Sequence, residues 1–102
     1  MTKWADYLIS GVHYTITDKK KSISHVHVHE YKNDNVGPAL TLTRSELINR
    51  IDNHYTFKTI YKNDGKWEPG EDVRKVKMHI YYYLRTDSNN KEEDNLGNLP
   101  QF

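Results

Sequence analysis

From Arg74 onward the apolar side chains recur with a period of two and without interruption. Val76, Met78, Ile80, Tyr82 and Leu84 keep one parity, while Lys75, Lys77, His79, Tyr81, Tyr83 and Arg85 keep the other. A period of two belongs to extended backbone and is incompatible with one face of a helix, so this stretch commits the chain to a sheet. Neither Gly, Pro, Asn nor Asp stands between Val73 and Thr86, which argues for one long bent strand, or two strands joined without a phase slip, rather than a tight hairpin.

Two further runs carry the same signature. Tyr7 to Thr17 is rich in β-branched and aromatic residues, and Ser22 to Tyr31 sets Val26 and Val28 against His25, His27 and His29. The Asp18-Lys19-Lys20-Lys21 break between them fits a hairpin connection. Asn33 to Pro38 is dense in turn formers and reads as a surface loop, with a short extended segment over 39–43. Thr56 to Tyr61 is another strand, closed by Lys62-Asn63-Asp64-Gly65, whose Asp-Gly step supplies the positive φ of a tight turn. Trp67-Glu68-Pro69-Gly70 reads as a second turn, with Trp67 a lid on the core rather than a platform for a ligand.

One helix is expected. Thr43-Arg44-Ser45-Glu46 is a capping box, in which Thr and Glu each satisfy a backbone N–H of the other's end of the turn. It opens a helix from about Arg44 to Asn53 with Leu47, Ile48 and Ile51 as its apolar stripe. So short a helix needs a sheet to lie on.

Composition sets the scale of what these elements can bury. The 102 residues are 35% hydrophobic and 28% charged, and Ile, Leu, Val and Phe together number 22. That suits one folded domain with a thin core. The expectation is an α+β fold over 1–102: a curled, mostly antiparallel sheet of about five strands with one packed helix, and a polar C-terminal segment at 87–102 able to pack over the sheet. With no cysteine there is neither a disulfide framework nor a Cys-based zinc site, and no apolar run is long enough for a membrane span or a signal core. A cytoplasmic protein is expected. The net charge of +1 gives no global basic footprint, so anion binding must come from a local patch.

Catalytic templates find little purchase. There is no nucleophile elbow, no cysteine nucleophile and no Gly-rich phosphate loop, and the acidic run Glu92-Glu93-Asp94 reads as solvated surface. The alternating histidines at 25, 27 and 29 lack a third metal ligand at diagnostic spacing, so no metal and no cofactor is expected; the row reads as a polar, solvent-facing strand surface, with help in holding an anion or a response to pH also open. The strand at 74–85 is more informative. Lys77, Tyr81, Tyr83 and Arg85 combine cations with flat rings on one face, the pairing that a ligand with a phosphate and a base requires. His27, Asn95 and Asn98 are candidate polar contacts.

The order Tyr7-Leu8-Ile9-Ser10-Gly11-Val12, Ile23 to His29, Leu42-Thr43-Arg44, Phe57 to Tyr61, Tyr82-Tyr83-Leu84-Arg85-Thr86-Asp87 and Asp94-Asn95-Leu96-Gly97-Asn98-Leu99-Pro100 resembles DUF3892, a family of small bacterial and phage proteins of unknown function. The likeness covers nearly the whole chain, and the tail is its most specific part. It implies a compact domain of bacterial or phage source and no established activity. It also implies a hairpin turn, often Asn-Gly in the family, before the Tyr-Leu-Arg-Thr-Asp segment, near where this chain has Met78-His79. Two uses of the tail are open: its Asp, Asn and Gly residues contact a partner, or Leu96, Leu99 and Phe102 pin the C-terminus over the sheet while the polar residues make turns.

The functional expectation is a non-enzymatic binding protein for a small anionic, nucleotide-like ligand, acting by sequestration; in a phage it would hold a host defence signal. The alternatives are a protein-interaction module or inhibitor using the tyrosines, and a single-stranded nucleic-acid binder. A homodimer through an exposed strand edge is a further expectation.

Overall fold

A computed structural model describes residues 4–17, 20–32, 35–78, 81–86, 94–97 and 99–102. The chain forms seven strands and one helix: β1 (Tyr7–Thr17), β2 (Lys20–Lys32), β3 (Asn35–Val36), β4 (Leu40–Thr43), α1 (Arg44–Asp52), β5 (Phe57–Asn63), β6 (Lys66–Met78) and β7 (Tyr81–Arg85). The strands lie in the order β3-β2-β1-β5-β6-β7, with β4 also on β2. The expected α+β class holds, but the sheet has seven strands rather than five and is mixed. β1 and β5 run parallel over Tyr7↔Phe57 to Ile9↔Thr59. The helix is the reason: it carries the chain from β4 back across the sheet, so β5 enters beside β1 in the same direction.

Strand existence follows the sequence closely, with two corrections. Trp67 to Gly70 is not a turn; these residues pair with β5, Pro69 opposite Ile60 and Trp67 opposite Lys62. Proline is tolerated there because the described pairing of β6 with β7 begins only at Arg74, so Pro69 owes no hydrogen bond on that side. In the loop expected over 33–38, Asn35 and Val36 pair with Lys32 and Tyr31. The Asp64-Gly65 turn is as expected, with φ of 52° and 76°.

Three bulges bend the sheet. Ser10 is the extra residue between Ile9↔Val28 and Gly11↔His27, and Ser24 the extra residue between His13↔His25 and Tyr14↔Ile23. In the third, Gly70 and Glu71 together oppose Thr59. Each adds local twist, which is how a sheet with so few large apolar residues curls around its core. The first two shifts sit on opposite strands and cancel, so both ends of the β1–β2 pair keep one register.

The core has two parts. On the helix side Ile9, Val12, Val26, Val28, Leu47, Phe57, Val73 and Leu84 pack with Leu96 and Leu99 of the tail, and Ile48 and Ile51 lean on them. On the other face a smaller cluster joins Leu8, Tyr31 and Ile60 with Ala5, Trp4, Val36 and Trp67. Trp4 stacks on Tyr31 at 4.8 Å and 9°. Trp67 is therefore the lid its sequence context implies.

Candidate functional site

The register of β6 and β7 decides which of the candidate residues meet. Met78 pairs with Tyr81, Lys77 with Tyr82, Val76 with Tyr83, Lys75 with Leu84 and Arg74 with Arg85. The strands form an antiparallel hairpin, as the family resemblance implied and the absence of turn residues argued against. Each of these pairs joins a residue of odd number to one of even number. The uninterrupted parity of 74–85 therefore does not describe one face. Lys75 and Lys77 share a face with Tyr82 and Leu84, while Tyr83 and Arg85 fall on the other with Val76.

Tyr82 is the residue that sequence reasoning missed. The residue is 44% exposed, with the Lys75 Nζ 4.5 Å and the Lys77 Nζ 5.9 Å from its ring centroid. Lys75 is also tied to Asp52 at the end of α1. Beneath the strip the Arg44 guanidinium donates to the Tyr82 carbonyl oxygen at 2.8 Å. Three cations and one exposed ring thus gather at the hairpin, on the helix side of the sheet. A cleft of 430 Å³ lies alongside, lined by Ile51, Tyr55, Phe57, Val73, Arg74 and Lys75 among others.

The other candidate residues are dispersed. Arg85 is fully buried and Tyr83 half-buried, so Arg85 acts on the fold rather than facing solvent. Asn95 is held by the hairpin's own edge: its N–H donates to the Leu84 carbonyl at 2.8 Å, its carbonyl accepts from Thr86 at 3.1 Å, and its side-chain oxygen accepts from the Gly97 N–H at 2.9 Å. That is an Asx turn, and Gly97 completes it at φ 76°. The Tyr81 side chain and all of Asn98 lie outside the described residues. His27 lies on the far face of the sheet, stacked on Phe102.

Two further expectations are corrected. Asp94, read from sequence as part of a solvated acidic run, is completely buried. Its carboxylate accepts from the Ile23 and Leu84 N–H groups, both at 2.8 Å, and from Arg44 Nε at 2.8 Å and Nη2 at 3.2 Å. The histidine row is not simply a solvated surface either. His29 is buried and bonded through its two ring nitrogens to Ser10 Oγ and the Gly37 carbonyl, each at 2.7 Å, leaving only His25 exposed. Of the two readings of the tail, the pinning role of Leu96 and Leu99 is the one their burial supports. Among the described residues no three His, Asp or Glu side chains are placed to share a metal ion. Nor is any described helix long and apolar enough to cross a membrane.

The fold and its hairpin strip define a small α+β domain built on a curled mixed sheet, in which cations and an exposed ring are gathered at one end. The chain belongs to DUF3892, a protein family of unknown function, whose model matches residues 15–100. No curated protein and no solved structure matches it.

Proposed function

We infer that the protein is a non-enzymatic binding protein for a small anionic, ring-bearing ligand of the nucleotide class, and that it works by sequestration. The observation that carries this reading is the pair of ammonium groups, Lys75 and Lys77, arranged around the exposed ring of Tyr82. Ammonium groups supply charge for a phosphate, and the ring offers a stacking surface for a base. The 430 Å³ cleft beside them matches the volume of a small-molecule site. In a phage, a protein of this kind would blunt a host defence by holding its messenger.

Thermal shift against mononucleotides, cyclic dinucleotides, adenosine-diphosphate-ribose analogues and short single strands tests the reading. A ligand at a hundredfold over its Kd adds about 2.7 kcal/mol, which for a domain of this size raises Tm by on the order of 10 °C. Tyr82→Ala should weaken the active class about tenfold or more, the value of one stacked base, and Lys77→Ala should steepen the loss at low salt. A response that grows with strand length and collapses with salt would instead favour the nucleic-acid binder. A flat panel would remove the nucleotide reading.

A further inference from the structure

On the sheet face opposite the helix, far from the Tyr82 strip, the chain has built a slot and filled it with Phe102 of its own tail. The Phe102 ring lies 3.7 Å from the His27 imidazole and within 6° of parallel. Its carbonyl oxygen meets His13 Nδ1, and the His13 ring is itself 5.9 Å from the Phe102 ring and 6.5 Å from that of His25. The floor is Gly11. A Cβ there would meet His27 Nδ1 at 3.3 Å, a tight contact, and Phe102 Cδ1 at 3.4 Å, an ordinary one, so both rings lie close against the backbone of this glycine.

The occupant is lightly held. Leu99 is buried in the helix-side core, but beyond it the backbone is joined to β1 by two hydrogen bonds, Val12 N–H to the Pro100 carbonyl at 3.0 Å and Phe102 N–H to the Val12 carbonyl at 3.1 Å. Phe102 as a whole remains 46% exposed. An imidazole plane offers stacking area to any flat ring, and an imidazole N–H makes a charge-assisted hydrogen bond to a carboxylate oxygen placed where the Phe102 oxygen lies.

We propose that His27, His13 and Gly11 form a binding slot for an aromatic ring bearing a carboxylate at about the reach of an amino-acid backbone, and that Phe102 is its resident, displaceable occupant. The ligand class is an aryl carboxylate, whether a free aromatic acid or the C-terminal aromatic residue of a peptide. The site is independent of the nucleotide reading, because it lies on the other face and shares no residue with the Tyr82 strip.

The test follows the histidine ring resonances by NMR in the full chain and in Phe102→Gly, using N-acetyl-phenylalanine as the free acid and a short peptide ending in phenylalanine as the second source. In Phe102→Gly the His27 signals should lose the ring-current shift of the stack. Either probe should then restore it saturably, with a Kd at least tenfold lower than in the unsubstituted chain, where Phe102 competes. N-acetyl-cyclohexylalanine, which has no aromatic plane, should bind more weakly. The assignment is overturned if the probes leave His13 and His27 unmoved in a folded Phe102→Gly protein, if the unsubstituted chain binds them equally well, or if the saturated analogue competes on equal terms. Should Phe102→Gly fail to fold, the unsubstituted chain still decides the matter: excess probe must abolish the Phe102–His27 nuclear Overhauser contacts, and their persistence at saturation would reject displacement.

Discussion

Asp94 joins three parts of the chain that lie far apart in sequence: the start of β2 through Ile23, β7 through Leu84 and the first turn of α1 through Arg44. A buried carboxylate is stable only when its oxygens are filled by donors, as these are. Asp94→Asn turns an acceptor into a donor against groups that can only donate. It should cost about 3 kcal/mol, near the lower end for breaking a buried pair because Arg44 is partly exposed and can rehydrate. Urea unfolding would show this as a lower midpoint at unchanged slope. Gly70 presents the opposite case, a residue defined by what it lacks. A Cβ at Gly70 would sit 2.4 Å from Thr59 Oγ1 and 3.0 Å from its carbonyl oxygen, and the hydroxyl cannot readily swing aside because it accepts from the Glu71 N–H at 2.9 Å. Gly70→Ala should therefore destabilise by about 1–3 kcal/mol, whereas Gly65→Ala meets no atom and pays only for its positive φ. Neither Asp94 nor Gly70 is legible from the sequence alone, since burial and close approach are made by residues distant along the chain.

At the scale of elements, α1 is the most local. Thr43 Oγ1 accepts from the Glu46 N–H at 3.2 Å and the Glu46 carboxylate accepts from the Thr43 N–H at 3.0 Å, as the four-residue motif requires. The Thr43 backbone and side-chain hydrogen bonds hold the Glu46 carboxyl below the usual glutamate range, aided by Arg50 and His25 and opposed by slight desolvation. A carboxyl whose pKa is depressed by folding contributes stability above its unfolded pKa and loses it as pH falls through the folded value. Acidification from about pH 5 to about pH 3 should therefore erode Tm more steeply in the natural chain than in Glu46→Gln, whose amide oxygen keeps the cap without titrating. Thr43→Ala should cost about 1 kcal/mol near neutral pH and less in acid, because the Thr43 side chain is part of what holds the Glu46 carboxyl down. The β6–β7 hairpin is the counter-example. Its alternation identified strand correctly but not face, because a reversal of the chain changes which parity looks at the core, and no residue type between Val73 and Thr86 marks the reversal. The alternation groups Tyr82 with Leu84. Tyr82 does share that face, but lies further toward the hairpin tip than Leu84 and remains exposed.

For the molecule as a whole the apolar content is thin, and the tail supplies part of the core. Leu96, 1% exposed, packs into the helix-side core, and its N–H donates to the Tyr14 hydroxyl at 2.9 Å. Leu96→Ala should cost about 2–5 kcal/mol and also accelerate hydrogen exchange at the Val12 and Phe102 amides, since the loosened tail would release both of their bonds. A loss of stability with those two amides still protected would show that the last residues dock independently of Leu96. The mixed topology is likewise a property of the whole: β1 and β5 become parallel neighbours only because α1 spans the sheet between them. What the sequence by itself determined is everything carried by near neighbours, namely the strands at β1, β2, β5 and β6–β7, the capped helix, the Asp-Gly turn and the apolar stripe at Leu47, Ile48 and Ile51. Only the tertiary structure decided which strands pair, which face each side chain meets and which polar residues are buried, because those outcomes depend on register between segments tens of residues apart, and a shift or reversal in register exchanges core for solvent without altering any local preference.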